Sequence, residues 1–222
     1  PKIPCPFMST HWKNLDEFQT SVTSMGYYGG LRLLKATLLV FLKHCKQHEI
    51  PLHDRGFKLS YTTDIPVLLG LSGSSAIISA CLRALGGWYG VKMQPWLLAN
   101  LAWQVETEEL GIPAGLQDRV AQAYNFPVFM DFDEGHFNTN PYGKYDKLKR
   151  PLKNIYLAYS STLAEGSEKT HSNLRERFES GETTILEAIE SWKSLTLQFR
   201  EALQANDHEL MNHCINANFD LR

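Results

Sequence analysis

No run of apolar residues in this 222-residue sequence approaches the roughly 18 that a membrane-spanning helix requires. The opening residues, PKIPCPFMST, neither begin with methionine nor contain the apolar stretch of a secretion signal. These absences predict a cytosolic (cytoplasmic) protein whose chain begins inside a longer polypeptide. Cysteine is sparse. The four residues Cys5, Cys45, Cys81 and Cys214 form no CxxC pair and no Cys/His ligand spacing, so free thiols in a reducing compartment are expected. His44 and His48 stand four residues apart but lack the HExxH context of a zinc site. Charge of one sign is also missing: 22 basic against 24 acidic residues leave a net charge of −2. The one basic run, residues 144–153, is interrupted by Tyr145, Asp146, Leu148 and Pro151 and reads as a solvated loop. No nucleic-acid and no membrane partner is therefore expected, and the sequence leaves the oligomeric state unknown. Neither a Walker A loop nor a GxGxxG fingerprint occurs, and no internal repeat is visible.

What is present is a mixture of strand and helix patterns, giving an α+β class. Residues 57–63, FKLSYTT, alternate apolar and polar and predict a strand. Before them, residues 28–48 predict a helix with Leu31, Leu34, Leu38, Phe41 and Leu42 on one face. From Ser75 to Leu85, small and apolar residues surround the helix almost completely and predict burial. Another helix is expected over 95–110, with Pro95 in its first turn and Gly111 as its C-terminal cap, and a further one over 116–124. Residues 127–132 and 154–160 read as buried strands joined by a polar connection over 133–150. The last quarter is helical. Ile185, Ile189, Trp192, Thr196, Phe199 and Leu203 form one stripe, and Asn206 with Glu209 makes a capping box for a final helix.

Two segments carry chemistry. Gly70-Leu71-Ser72-Gly73-Ser74-Ser75 leads from the strand region into the predicted helix. Glycines there allow close backbone approach, and unpaired amides at a helix N-terminus suit a phosphate. Ser74 and Ser75 add hydroxyls for phosphate oxygens or magnesium. Alone, this pattern fits a serine-capped turn equally well. The second segment, QVETEELGIPAGLQDRVAQAY at 104–124, places three glutamates before a Gly/Pro loop and Asp118 after it. A helix-borne glutamate suits magnesium, and an aspartate suits a sugar hydroxyl. Phosphoryl transfer requires both positioning and charge neutralisation.

Together the two segments resemble the GHMP kinase superfamily. Pro66-x-x-x-Gly70-Leu71-Ser72-Gly73-Ser74-Ser75-Ala76 is similar to its central motif P-x-x-x-G-L-G-S-S-A, with Ser72 standing where the glycine is usual. GYYGG at 26–30, LHDRGF at 52–57, AGLQDRVAQ at 114–122 and NANFDLR at 216–222 look like the plant-type glucuronokinases within it. The resemblance implies a two-lobed fold. Residues 1–150 would form a ribosomal-S5-domain-2-like N-terminal lobe holding the phosphate loop, and 151–222 the start of a ferredoxin-like C-terminal lobe. The family's first motif and its C-terminal glycine-rich loop are not found, so a chain truncated at both ends is expected.

It further implies a sugar-1-kinase using ATP and Mg2+ and acting on glucuronate, or on a heptose, galactose or fucose, with a non-catalytic sugar-binding protein as the remaining reading. On that likeness Gly70, Leu71, Ser72, Gly73, Ser74 and Ser75 would bind nucleotide. Ser75 and Glu106, or Glu109 one turn on, would hold the metal, and Asp118 would orient or deprotonate the acceptor hydroxyl. Tyr28, Arg32 and Arg119 are the candidates for binding a sugar carrying a carboxylate.

Overall fold

Helices carry most of the structure, and one of them, residues 32–47, is buried on nearly every side. The computed structural model describes residues 10–66, 69–148, 156–159, 174 and 176–221. These fall into two compact units. One comprises residues 71–125 and 134–142 with the described part of the first 67 residues; the other comprises 69–70, 126–133 and the described residues from 143 onward.

In the first unit, α1 (Leu15–Met25) starts at Asn14, whose side chain accepts the Glu17 N–H at 2.8 Å. α2 (Arg32–Gln47) buries Leu34 through Leu42 and Cys45; the two polar residues in that run are Lys35, whose Nζ lies 5.4 Å over the Trp12 ring, and Thr37, whose hydroxyl donates to the Leu33 carbonyl at 2.6 Å. Leu31, expected on the buried face, precedes the helix and is exposed. α3 (Gly73–Tyr89) packs on α2 and buries Ile78, Cys81, Leu82, Leu85 and Tyr89, with Phe41 and Tyr89 stacked at 5.8 Å. The expectation of burial all round is corrected here, because Ala80, Arg83, Ala84 and Gly87 face outward. Small residues are tolerated on either side of a helix, so composition alone did not distinguish the faces. Gly86 permits a close approach: a Cβ there would meet the Met93 Cε at 2.6 Å.

The helix expected over 95–110 is two elements. α4 (Pro95–Gln104) buries Leu98, Ala99, Leu101 and Ala102, and then Val105–Glu109 widens into a π turn, with the Leu110 N–H donating to the Val105 carbonyl. Gly111, at φ 64°, ends it as expected. α5 (Gln117–Tyr124) and the short α6 (Glu134–Phe137) complete the unit, with α5 packed on α3 and α4.

In the second unit, β1 (Val128–Asp131) pairs antiparallel with β2 (Lys144–Lys147), in the register Val128↔Lys147 to Asp131↔Lys144. The polar connection expected over 133–150 thus contains a helix and a strand. α7 (Thr183–Ala205) and α8 (His208–Asp220) pack on each other, and the Arg200 guanidinium lies 4.4 Å over the Phe129 ring. Two expectations need further correction. Asp207, not Asn206, caps α8 by accepting the Leu210 N–H at 3.0 Å, whereas Asn206 closes α7 in a left-handed conformation. Residues 57–63 carry no regular structure and are largely exposed; they join no ladder among the described residues, because a strand forms only where a neighbour takes its amides. Of the strand expected over 154–160, residues 156–159 carry no regular structure and Tyr156 is 90% exposed; the others lie outside the described residues. No described helix is long and apolar enough to cross a membrane.

Candidate functional site

The first unit gathers the charged residues of the two sequence segments around the start of α3. The chain turns into that helix at Ser72, which takes the left-handed conformation (φ 54°, ψ 34°) where the similar motif has glycine. Its carbonyl is held from three sides: by the Ala76 N–H at 3.1 Å, the Ser75 hydroxyl at 3.0 Å and the Gln122 side-chain amide at 3.1 Å. Gln122 also accepts the Ser79 hydroxyl at 3.3 Å, so α5 braces the first turns of α3. The amides of Gly73, Ser74 and Ser75 belong to the turn that has no acceptor within the helix.

The Ser74 hydroxyl donates to Glu106 Oε1 at 2.7 Å. Glu106, only 1% exposed, projects from the π turn. Its Oε2 accepts the Arg119 Nε–H at 2.7 Å, and Arg119 Nη2 joins it on the same oxygen. The remaining nitrogen, Nη1, donates to the Gly115 carbonyl at 3.0 Å and reaches Asp118 Oδ2 at 3.3 Å. Asp118 stands in the first turn of α5 with its side chain 49% exposed, whereas Arg119 is 7% exposed. A buried carboxylate is costly unless paired and hydrogen-bonded, and Glu106 is both. The Trp103 indole N–H fixes the intervening loop by donating to the Ala114 carbonyl at 2.8 Å.

Glu109 faces elsewhere. Its Oε1 accepts the Tyr27 hydroxyl at 2.7 Å and its Oε2 the Lys43 ammonium at 2.5 Å. Burial, then the hydrogen bond and charge of Glu109, push the Tyr27 hydroxyl well above the ordinary phenol range. Of the two glutamates left open by the sequence, Glu106 is thus the one joined to the serine loop. Ser74, Glu106, Asp118 and Arg119 come together. Ser75 is fully buried with its hydroxyl turned to Ser72, and Arg119 is committed to carboxylates of this chain. Tyr28 is 56% exposed, and Arg32 opens α2 at an exposed position. Sequence reasoning missed Gln122 and the Arg119–Glu106 pair. The only signal for the latter was the charge complement across the Gly/Pro loop.

The oxygens of Ser74 and Glu106 suit a hard cation. Among the described residues no group of three His, Cys, Asp or Glu side chains gathers as a metal cage. Mg2+ takes one or two carboxylates and leaves other positions to water and phosphate.

Residues 32–126 match the family model of the GHMP kinases N terminal domain. The chain is 40% identical over 223 residues to glucuronokinase 1 of Arabidopsis thaliana, covering 99% of this chain and 61% of that protein. It is also 40% identical over 224 residues, with the same coverage, to probable glucuronokinase 2 of that plant. Among solved structures it resembles a D-glycero-D-manno-heptose 1-phosphate kinase from Bacteriodes thetaiotaomicron, at a TM-score of 0.52 and 18% identity over 85% of this chain and 54% of that one. The chain therefore spans about three fifths of the length of the plant relatives it matches.

Proposed function

We propose that this chain, whose residues 32–126 match the GHMP kinases N terminal domain, belongs to an ATP-dependent sugar kinase that phosphorylates the anomeric hydroxyl of D-glucuronate. The observation carrying this reading is the Ser74–Glu106–Arg119–Asp118 cluster at the start of α3. The likeness to two plant proteins named as glucuronokinases supports the choice of acceptor.

The loop Gly70–Ser75, with the amides of Leu71, Ser72, Gly73, Ser74 and Ser75, cradles the nucleotide phosphates, favoured by the helix dipole. Glu106 Oε1 and the Ser74 hydroxyl would hold Mg2+. Ser75, the position that the family motif places on the metal, has its hydroxyl donating to the Ser72 carbonyl at 3.0 Å. When bound, the ion neutralises charge on the transferring phosphoryl group. Asp118, the half-exposed carboxylate of the set, accepts the proton of the sugar's anomeric hydroxyl. That oxygen forms a bond to the γ-phosphorus as the bond to the β–γ bridging oxygen breaks, leaving ADP and glucuronate 1-phosphate. Arg32 and Tyr28 are assigned to the sugar, Arg32 facing its carboxylate. In this scheme residues 1–150 belong to the N-terminal lobe and 151–222 to the start of the C-terminal lobe.

The test is ATP-dependent phosphorylation of a panel of sugars by the full-length protein and its Asp118→Asn variant. Wild type is expected to prefer glucuronate, and the variant to lose roughly 10²–10⁴ in kcat. Its melting temperature should stay within a few degrees, because Asp118 is half exposed. Preference for a neutral sugar would overturn the acceptor, and an active Asp118→Asn would overturn the role of Asp118.

A further inference from the structure

Resting on that reading, we infer that Arg119 is a positioning residue that sets Glu106 for the metal and Asp118 for the acceptor, rather than a ligand of the sugar's carboxylate. One guanidinium meets both carboxylates through different nitrogens, with Nε and Nη2 on Glu106 and Nη1 on Asp118 and the Gly115 carbonyl. Every nitrogen of the fork is thereby engaged within the chain, and the residue is 7% exposed. A sugar carboxylate could reach it only by displacing Glu106 or Asp118 and leaving a carboxylate of the protein unpaired, which is costly where it is buried.

Both Arg119 bonds to Glu106 fall on Oε2. Oε1 is left to Ser74 alone, so the fork determines which oxygen the phosphate loop meets. The planar guanidinium also fixes the rotation of the carboxylate, which a lysine ammonium cannot do. Because Arg119 follows Asp118 directly at the start of α5, its bond to Glu106 also anchors the segment carrying the proposed base. Outer partners of this kind change metal affinity or activity by about 10–100-fold when removed.

The experiment compares wild type, Arg119→Lys and Arg119→Gln in the full-length protein. Mn2+ affinity is read by electron paramagnetic resonance in the presence of ADP, and steady-state kinetics are taken with varied glucuronate, a neutral sugar and Mg2+. Arg119→Gln is expected to weaken Mn2+ binding and to lower kcat, each at least tenfold, with Arg119→Lys intermediate. The KM for glucuronate should move less than threefold, and the preference for glucuronate over the neutral sugar should persist. Unchanged or tightened Mn2+ binding would overturn the inference. So would a large rise in glucuronate KM with loss of that preference, which is the signature of a sugar ligand. Should Arg119→Gln fail to fold, Arg119→Lys decides by the same readouts. Absence of sugar phosphorylation in wild type would count against the proposed function alone, since the Mn2+ measurement reports on Arg119 without turnover.

Discussion

The carbonyl oxygen of Ser72 receives three donors although it has two lone pairs, and its residue is held in a conformation that side chains rarely adopt. A non-glycine residue in the left-handed region costs on the order of 1–2 kcal/mol, and the bonds from Ala76, Ser75 and Gln122 hold it there. Ser72→Gly is accordingly expected to stabilise the protein by ~1 kcal/mol or somewhat less, the relief being offset in part by greater freedom of the unfolded chain. Ser72→Val should destabilise it by about 1–3 kcal/mol, since a β-branched side chain fits that region worst. Urea unfolding midpoints check both, and a Ser72→Gly midpoint below wild type would contradict the strain. At this scale the sequence was legible for residue types and less so for directions. Glu106 and Glu109 share a face in an α-helix, where i and i+3 are neighbours. The π turn separates them, sending one to Arg119 and the other to Tyr27 and Lys43. Likewise, nothing local in Ser74-Ser75 told which hydroxyl would meet Glu106.

Elements set by local signals matched expectation best. Pro95 begins α4, Gly111 ends the π turn, and of the buried strand expected over 127–132, residues 128–131 became β1, half-buried rather than buried. Elements that depend on distant neighbours did not. The alternating residues 57–63 lack a ladder among the described residues, and β2 was hidden in a charged segment because its pairing with β1 supplies what composition does not. Caps lie between these cases. Asn206 and Asp207 are both capping residues, and only geometry assigned the first to the end of α7 and the second to the start of α8. Asp207→Ala should cost about 1 kcal/mol by leaving the Leu210 N–H without its acceptor, whereas Asn206→Gly should be neutral or mildly stabilising because it frees a left-handed position. Denaturant midpoints of the two variants distinguish these assignments, and reversed effects would restore Asn206 as the cap.

For the molecule as a whole, buried thiols tie stability to alkaline pH. Burial raises Cys81 on α3 from an ordinary 9.0 to about 12, against a smaller opposing pull from the Thr37 hydroxyl, and raises Cys45 on α2 to about 11. A folded-state value above the unfolded one means that the folded protein retains protons which the unfolded chain has released. The contribution is therefore complete below about pH 9 and is lost as pH rises toward 11–12. Stability is expected to fall across that window, with a slope of up to ~1.4 kcal/mol per pH unit from Cys81 alone. Urea titrations between pH 8 and 11 measure it. Cys81→Ala should flatten the slope, and an unchanged slope would show that Cys81 is not the group responsible.

The Glu106 carboxylate is met by Ser74, 32 residues earlier, and by Arg119, 13 residues later, so three elements converge on two oxygen atoms. No fragment of the unit can assemble that junction alone. It forms only when α3, the π turn and α5 are docked together, and it disappears when any one of them detaches. Whatever binds there selects molecules in which all three are seated. Occupancy and integrity are then one equilibrium, and a protease that cuts α5 when it opens would sense, from outside the site, how often the site is filled.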